Sequence, residues 1–141
     1  MVDRGRILVK LDELKGYLEE LRAVRPVDLV HYRNSPTKRA CERLLQLSIE
    51  ATIDICKKLV IGNRLGIPVD EPDVFEKLKA AGLLSQEMLD VLKKMRGLRN
   101  VLVHEYADLD DESVFRTISG RLDDFERFQG EVLKYLNRNQ A

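Results

Sequence analysis

The chain has 141 residues, long enough to bury one ordinary hydrophobic core and short of a second domain, so residues 1–141 are read as a single domain. Charged residues make up 34% while Gly, Pro and aromatics are scarce, which favours helices and argues against a β-sandwich or barrel. With 24 basic and 24 acidic side chains the formal net charge is zero, so bulk charge implies neither a nucleic-acid nor a membrane partner, and any nucleic-acid surface must be a local patch.

Met1 to Lys10 is charged throughout and lacks the apolar centre of a signal peptide, and no run of about 18 apolar residues follows; a cytoplasmic protein without a membrane segment is expected. Ile7, Leu11, Leu14, Leu18 and Leu21 recur at steps of four and three, one stripe of an amphipathic first helix that Pro26 closes. Ser35 and Pro36 form a plausible cap and first turn for a long second helix running to about Leu59, with Gly62-Asn63 as its stop. Two apolar stripes on this helix, Cys41-Leu44-Ile55-Leu59 and Leu45-Ile49-Ile53-Cys56-Val60, place it centrally with more than one neighbour. Cys41 and Cys56 would lie about 22 Å apart on it, beyond disulfide reach, and read as reduced core thiols; no metal-ligand spacing includes them.

Gly66 to Pro72 reads as a loop, with Pro72 beginning a short helix that ends at Gly82. Ser85 caps the next helix, on which Met88, Leu92, Met95, Arg99 and Leu102 share a face, an apolar stripe that Arg99 interrupts. Asp110, Asp111 and Glu112 mark the start of a last helix whose buried stripe is Val114, Ile118, Leu122, Phe125, Val132 and Leu136. Because every stripe needs a partner and the connections are short, the expected fold is all-α: an antiparallel four-helix bundle with one short additional helix.

Chemistry concentrates in Arg99-Asn100-Val101-Leu102-Val103-His104-Glu105-Tyr106, where one of only 2 His lies five residues after an Arg and two before a Tyr. On an ideal helix Arg99 and His104 point about 140° apart, so either the helix ends between Val101 and His104 or a second subunit completes the site. Arg, His and Tyr together can bind, protonate and be modified by phosphate; breaking a phosphodiester without a metal would need a base for the attacking hydroxyl, an acid for the leaving oxygen and positive charge on the phosphorane-like transition state. One imidazole cannot be acid and base at once, whereas a two-fold dimer with Arg99 and His104 near its axis supplies two of each. Asn100 can orient Arg99 or the phosphate, and Lys93, Lys94 and Arg96 are candidates for a patch that tracks RNA phosphates. His31 has no chemically able company nearby. Glu42, Glu50 and Asp54 read as a solvated stripe, or as ion pairs with Arg39, Arg43 and Lys57, rather than as metal ligands.

This motif resembles that of the HepT branch of HEPN-domain proteins, and the resemblance covers nearly the whole chain. Glu42-Arg43-Leu44-Leu45-Gln46 through Ile49-Glu50-Ala51 and Ile53-Asp54-Ile55 look like the family's second helix, and Phe75-Glu76-Lys77-Leu78 through Gly82-Leu83-Leu84-Ser85 like its connecting helix. Val114, Ile118, Leu122 and Phe125 fit its last helix. The resemblance implies a HEPN bundle that acts as a homodimeric ribonuclease toxin of a type VII HEPN/MNT toxin-antitoxin system, with Arg99 and His104 catalytic, Asn100 supporting, RNA as substrate and no metal or other cofactor. It further implies that Tyr106 is adenylylated by a partner nucleotidyltransferase of the MNT class, the antitoxin, placing a bulky anion beside Arg99 and His104. The alternative is a non-catalytic HEPN module that binds nucleotide or the nucleotidyltransferase.

Overall fold

A computed structural model describes residues 2–104 and 110–138, and every described element is helical: α1 (Arg4–Val24), α2 (Leu29–Arg33), α3 (Lys38–Gly62), α4 (Glu71–Ala80), α5 (Gln86–Val103), α6 (Asp111–Gly120) and α7 (Asp123–Arg138). Four of these are long, as the stripes require. Their order in space follows from ties between neighbours. Thr37, just before α3, donates its hydroxyl to the Val24 carbonyl at the end of α1, while Lys10 near the start of α1 pairs with Asp54 late in α3, so the two run antiparallel. Arg22 pairs with Asp123 and Glu126 at the start of α7, and Gln129 further along donates to the Leu11 carbonyl, so α7 runs antiparallel to α1. Ser85 with Glu131, and Glu87 with Arg127, set α5 antiparallel to α7.

The core is the intersection of the expected stripes. Ile7, Leu11, Leu14, Leu18 and Leu21 are all buried, and Leu45, Ile49, Ile55, Cys56 and Val60 on α3 have no exposed surface at all. Both cysteines are free and buried, and burial pushes each thiol above its ordinary pKa. Inert packing thiols follow from that.

Both ends of α3 depart from expectation in detail. Helix α3 begins at Lys38 rather than at Pro36: the Ser35 hydroxyl accepts from the Thr37 N–H in a local turn, and Thr37 takes the cap position while tied to α1. It ends at Gly62 with Asn63 as C-cap, yet the left-handed residue that turns the chain is Arg64 (φ 53°), which lets Leu65 donate to the Val60 carbonyl and Arg64 to Ile61. The same two-bond closure ends α4 with Gly82 (φ 79°) in the left-handed place, where no Cβ opposes it.

The expected last helix is two. Ser119 and Gly120 are weak helix formers, and Asp123, Asp124 and Glu126 favour a fresh N-terminal turn, so α6 ends at Gly120 and α7 starts at Asp123 while Leu122 and Phe125 keep their place in the core. Arg25 donates to the Ile118 carbonyl at 2.7 Å, supplying a cation to the C-terminus of α6. Helix α2 was not anticipated. Asp28 caps it by accepting from the His31 N–H at 2.8 Å and lies 2.7 Å from that imidazole, so His31 does have a partner, and its work is local. The bundle therefore has three short accessory helices rather than one.

Candidate functional site

Helix α5 starts where expected, with the Ser85 hydroxyl accepting from the Met88 N–H at 3.1 Å. Met88, Leu92 and Met95 follow at steps of four and three, all buried, and the next step brings Arg99 into the same inward row with its side chain 15% exposed. A guanidinium in that position needs compensation. Glu71 provides it. As the first residue of α4, behind the Asp70 cap, its carboxylate pairs with Arg99 Nη2, lies 3.0 Å from Arg96 Nε and 3.4 Å from Lys57 Nζ. Burial pushes this carboxyl up, but the three cations outweigh it and hold Glu71 below the ordinary carboxylate range. One carboxylate against three cations leaves two positive charges in excess.

Asn100 steadies the other edge. Its side-chain oxygen accepts from Arg99 Nε at 2.9 Å, and its carbonyl accepts the His104 N–H at 3.2 Å. Arg99 Nη1 keeps its N–H groups without a partner among the described residues. Helix α5 ends at Val103, and His104 is its C-cap in extended conformation (φ −89°, ψ 97°) with an exposed side chain. Of the two alternatives left by the disparity of about 140°, an early helix end or a second subunit, the first is observed, since α5 ends between Val101 and His104. Tyr106 lies outside the described residues.

Of the cations preceding the motif, Lys93 is paired to Glu76 at 2.6 Å and Arg96 to Glu71, which leaves Lys94 exposed and unpaired among the described residues. The carboxylates of α3 are ion-paired or hydrogen-bonded rather than a uniformly solvated stripe: Asp54 pairs with Lys10 and Lys58 and Glu50 accepts from Gln46, both partly exposed, whereas Glu42, paired with Arg39, is buried against expectation and its Oε2 has no partner among the described residues. Among the described residues no three His, Cys, Asp or Glu side chains converge as a metal-ligand set, and no helix is long and apolar enough to cross a membrane.

Beside Arg99 a groove of about 340 Å³ opens between α1, α3 and α4. Its walls set Glu13, Glu50, Asp54 and Glu71 against Lys10, Lys57 and Arg99, a balance hostile to a polyanion. Sequence reasoning missed Glu71; the available signal was an acid at the first turn of a Pro-initiated helix, whose partner in α5 no local spacing could name.

Comparison with known proteins bears on this geometry. A family model described as ribonuclease HepT-like matches residues 11–132. The mRNA nuclease HepT of Shewanella oneidensis is 42% identical over 84 residues, 60% of this chain and 63% of that protein. The tRNA nuclease HepT of Aphanizomenon flos-aquae is 31% identical over 131 residues, covering 92% of this chain and 89% of that one. Among solved structures, the tri-AMPylated Shewanella oneidensis HEPN toxin in complex with MNT antitoxin superposes with a TM-score of 0.83 at 32% identity, covering 91% of this chain and 96% of that chain.

Proposed function

Because the chain belongs to the HepT-like ribonuclease family, we propose that it is a homodimeric, metal-independent endoribonuclease, the toxin of a HEPN/MNT pair, with its active site built from Arg99 and His104 of both copies. The observation that carries this reading is the end of α5: a guanidinium held by Glu71 and Asn100 stands five residues, about one and a half turns, before an exposed imidazole released from the helix. Val101 and Val103, 38% and 40% exposed, flank Leu102 in that turn, an apolar surface suited to a second copy.

In such a dimer one imidazole takes the proton from the 2′-hydroxyl as the 2′-oxygen bonds to phosphorus. The other, protonated, gives its proton to the 5′-oxygen as the phosphorus–5′-oxygen bond breaks. The products are a 2′,3′-cyclic phosphate and a free 5′-hydroxyl, and the two imidazoles exchange protonation states. Arg99 Nη1 donates to the non-bridging oxygens, its orientation fixed beforehand by Asn100 and Glu71.

Adenylylation of Tyr106 by an MNT nucleotidyltransferase completes the reading. The AMP phosphate, two residues from His104, occupies the place of the RNA phosphate, so the modified toxin is silent. The solved relative described as tri-AMPylated and bound to an MNT antitoxin supports this reading for the family.

The test is cleavage of end-labelled tRNA and mRNA in EDTA by unmodified protein, with Tyr106 verified by mass spectrometry, beside the His104→Ala variant. Cleavage by the first alone is expected. Cleavage by neither would leave a binding module for nucleotide or nucleotidyltransferase.

A further inference from the structure

A second pocket, about 450 Å³, lies on another flank of α5, between α3, α6 and the start of α7. Its floor is apolar, formed by Ile49, Met95, Leu98 and Phe125. Its rim is cationic: Lys94 from α5, Arg116 from α6 and Arg121 from the corner before α7, with the Ser113 and Thr117 hydroxyls between them. The single carboxylate in the wall, Asp124, is 8% exposed and doubly neutralised by Arg121 at 3.1 Å and by Arg127. Three cations against one acid leave two positive charges in excess, the reverse of the groove beside Arg99, where four carboxylates face three cations. Lys94 is unpaired among the described residues, and Arg116 pairs with the exposed Glu112, with Asp110 also within reach of its charge, a weak surface pairing that a phosphate can displace. The Thr117 hydroxyl donates to the Ser113 carbonyl and the Ser113 hydroxyl to Asp110, leaving lone pairs on both oxygens to accept from a base amino group.

We propose that this pocket is a nucleotide subsite for the RNA strand, taking a base onto the apolar floor and its phosphate between Lys94 and Arg116. The inference rests on the ribonuclease reading above and deepens it. Leu98 stands six residues before His104, about 9 Å along α5, so a strand held here leads toward the proposed scissile position within a few nucleotides. A second copy of the chain is a poor occupant, since two-fold packing over this face would set one cationic rim against the other. An apolar floor edged by one unpaired cation, one weakly paired cation and hydroxyls matches a nucleotide, which presents a π-face, amino and carbonyl edges and one negative charge.

The test uses full-length protein in two backgrounds. Binding of a short fluorescein-labelled single-stranded RNA is followed by anisotropy with His104→Ala, so that nothing is cut, with and without Lys94→Gln/Arg116→Gln. The double substitution is expected to raise Kd about tenfold and to reduce the slope of log K against log salt by about 0.7, the loss of one neutralised phosphate. Thr117→Tyr, which fills the pocket without changing charge, should weaken binding with the slope unaltered. In the cleaving background the double variant should raise KM about tenfold with kcat lowered less than twofold. An unchanged Kd and slope, or a dimer that dissociates in sedimentation when Lys94 and Arg116 are replaced, overturns the proposal. Wild-type protein that cleaves, beside a double variant with the same KM, sinks the pocket alone; wild-type protein that neither binds nor cleaves RNA sinks the nuclease reading with it.

Discussion

The middle of α3 and the last turn of α5 obey the same packing geometry and put it to opposite uses. On α3 the inward rows hold Leu45, Ile49, Ile55 and Cys56, all without exposed surface, and nothing there is chemically able. On α5 the row Met88, Leu92, Met95 is continued by Arg99, and the turn that follows carries exposed Val101, Val103 and His104. An apolar stripe spends its positions on burial, worth about 25 cal/mol per Å² of apolar surface. An Arg placed there forgoes that gain and requires compensating partners in Glu71 and Asn100. An interrupted stripe whose interruption is furnished with such partners is the feature on which the proposed role of Arg99 rests.

The contrast can be broken by mutation, largest effect first. Glu at Val101 and Val103 together (V101E/V103E) should turn a dimer into a monomer in analytical ultracentrifugation and lower RNA cleavage at least about 100-fold, since each lone site then lacks either acid or base. The α3 counterpart is Leu45→Ala, expected to cost about 2–5 kcal/mol in chemical denaturation while cleavage per folded molecule is unchanged. Stability and activity should separate cleanly between the two regions. A Leu45→Ala protein that is fully folded yet cannot cut would show that they do not.

Smaller effects sharpen the comparison. Replacing Glu71 by Gln should cost about 1–2 kcal/mol and lower kcat more than it raises KM, because Arg99 loses its orientation rather than its contact with RNA. The pH dependence has a defined sign. Glu71 is held below its ordinary value of 4.5, so its contribution is fully present at neutral pH, begins to fall as acidification reaches that ordinary value, and is lost as pH drops through the depressed folded value. The difference in melting temperature between wild type and Glu71→Gln should therefore shrink below about pH 4.5; a difference constant down to pH 3 would refute the pairing. Least of all, Arg64→Gly should stabilise by about 0.5 kcal/mol, the relief of a left-handed residue partly offset by a looser unfolded chain.

Much of this architecture is legible in residue spacing. The row from Ile7 to Leu21, the two stripes of α3, the Ser85 cap and the end of α5 before His104 are local patterns, and each is observed. What sequence missed depends on tertiary partners. Asp28 can cap a one-turn α2 because Tyr32 has α6 to bury against, stacking tilted on Phe115 at 5.7 Å. A stripe continuous through Leu122 concealed the break at Gly120, since the buried row survives a change of helix axis. Arg99, Asn100 and His104 could be singled out from the motif, whereas Glu71 lies 28 residues away from Arg99 and only the fold joins them. Likewise the cationic rim of the second pocket draws Lys94, Arg116 and Arg121 from three separate places.

The central claim, that two copies each supply an imidazole to one site, is met most directly by a mixed dimer. Wild-type and His104→Ala subunits carrying different affinity tags are co-expressed, the heterodimer is isolated through both tags, and its cleavage of end-labelled RNA in EDTA is compared with that of the wild-type dimer. A composite site predicts a rate far below half, close to that of the His104→Ala homodimer, because the single remaining imidazole cannot serve as both acid and base. A heterodimer that keeps half the wild-type rate would show that each chain cuts alone and would contradict the shared site.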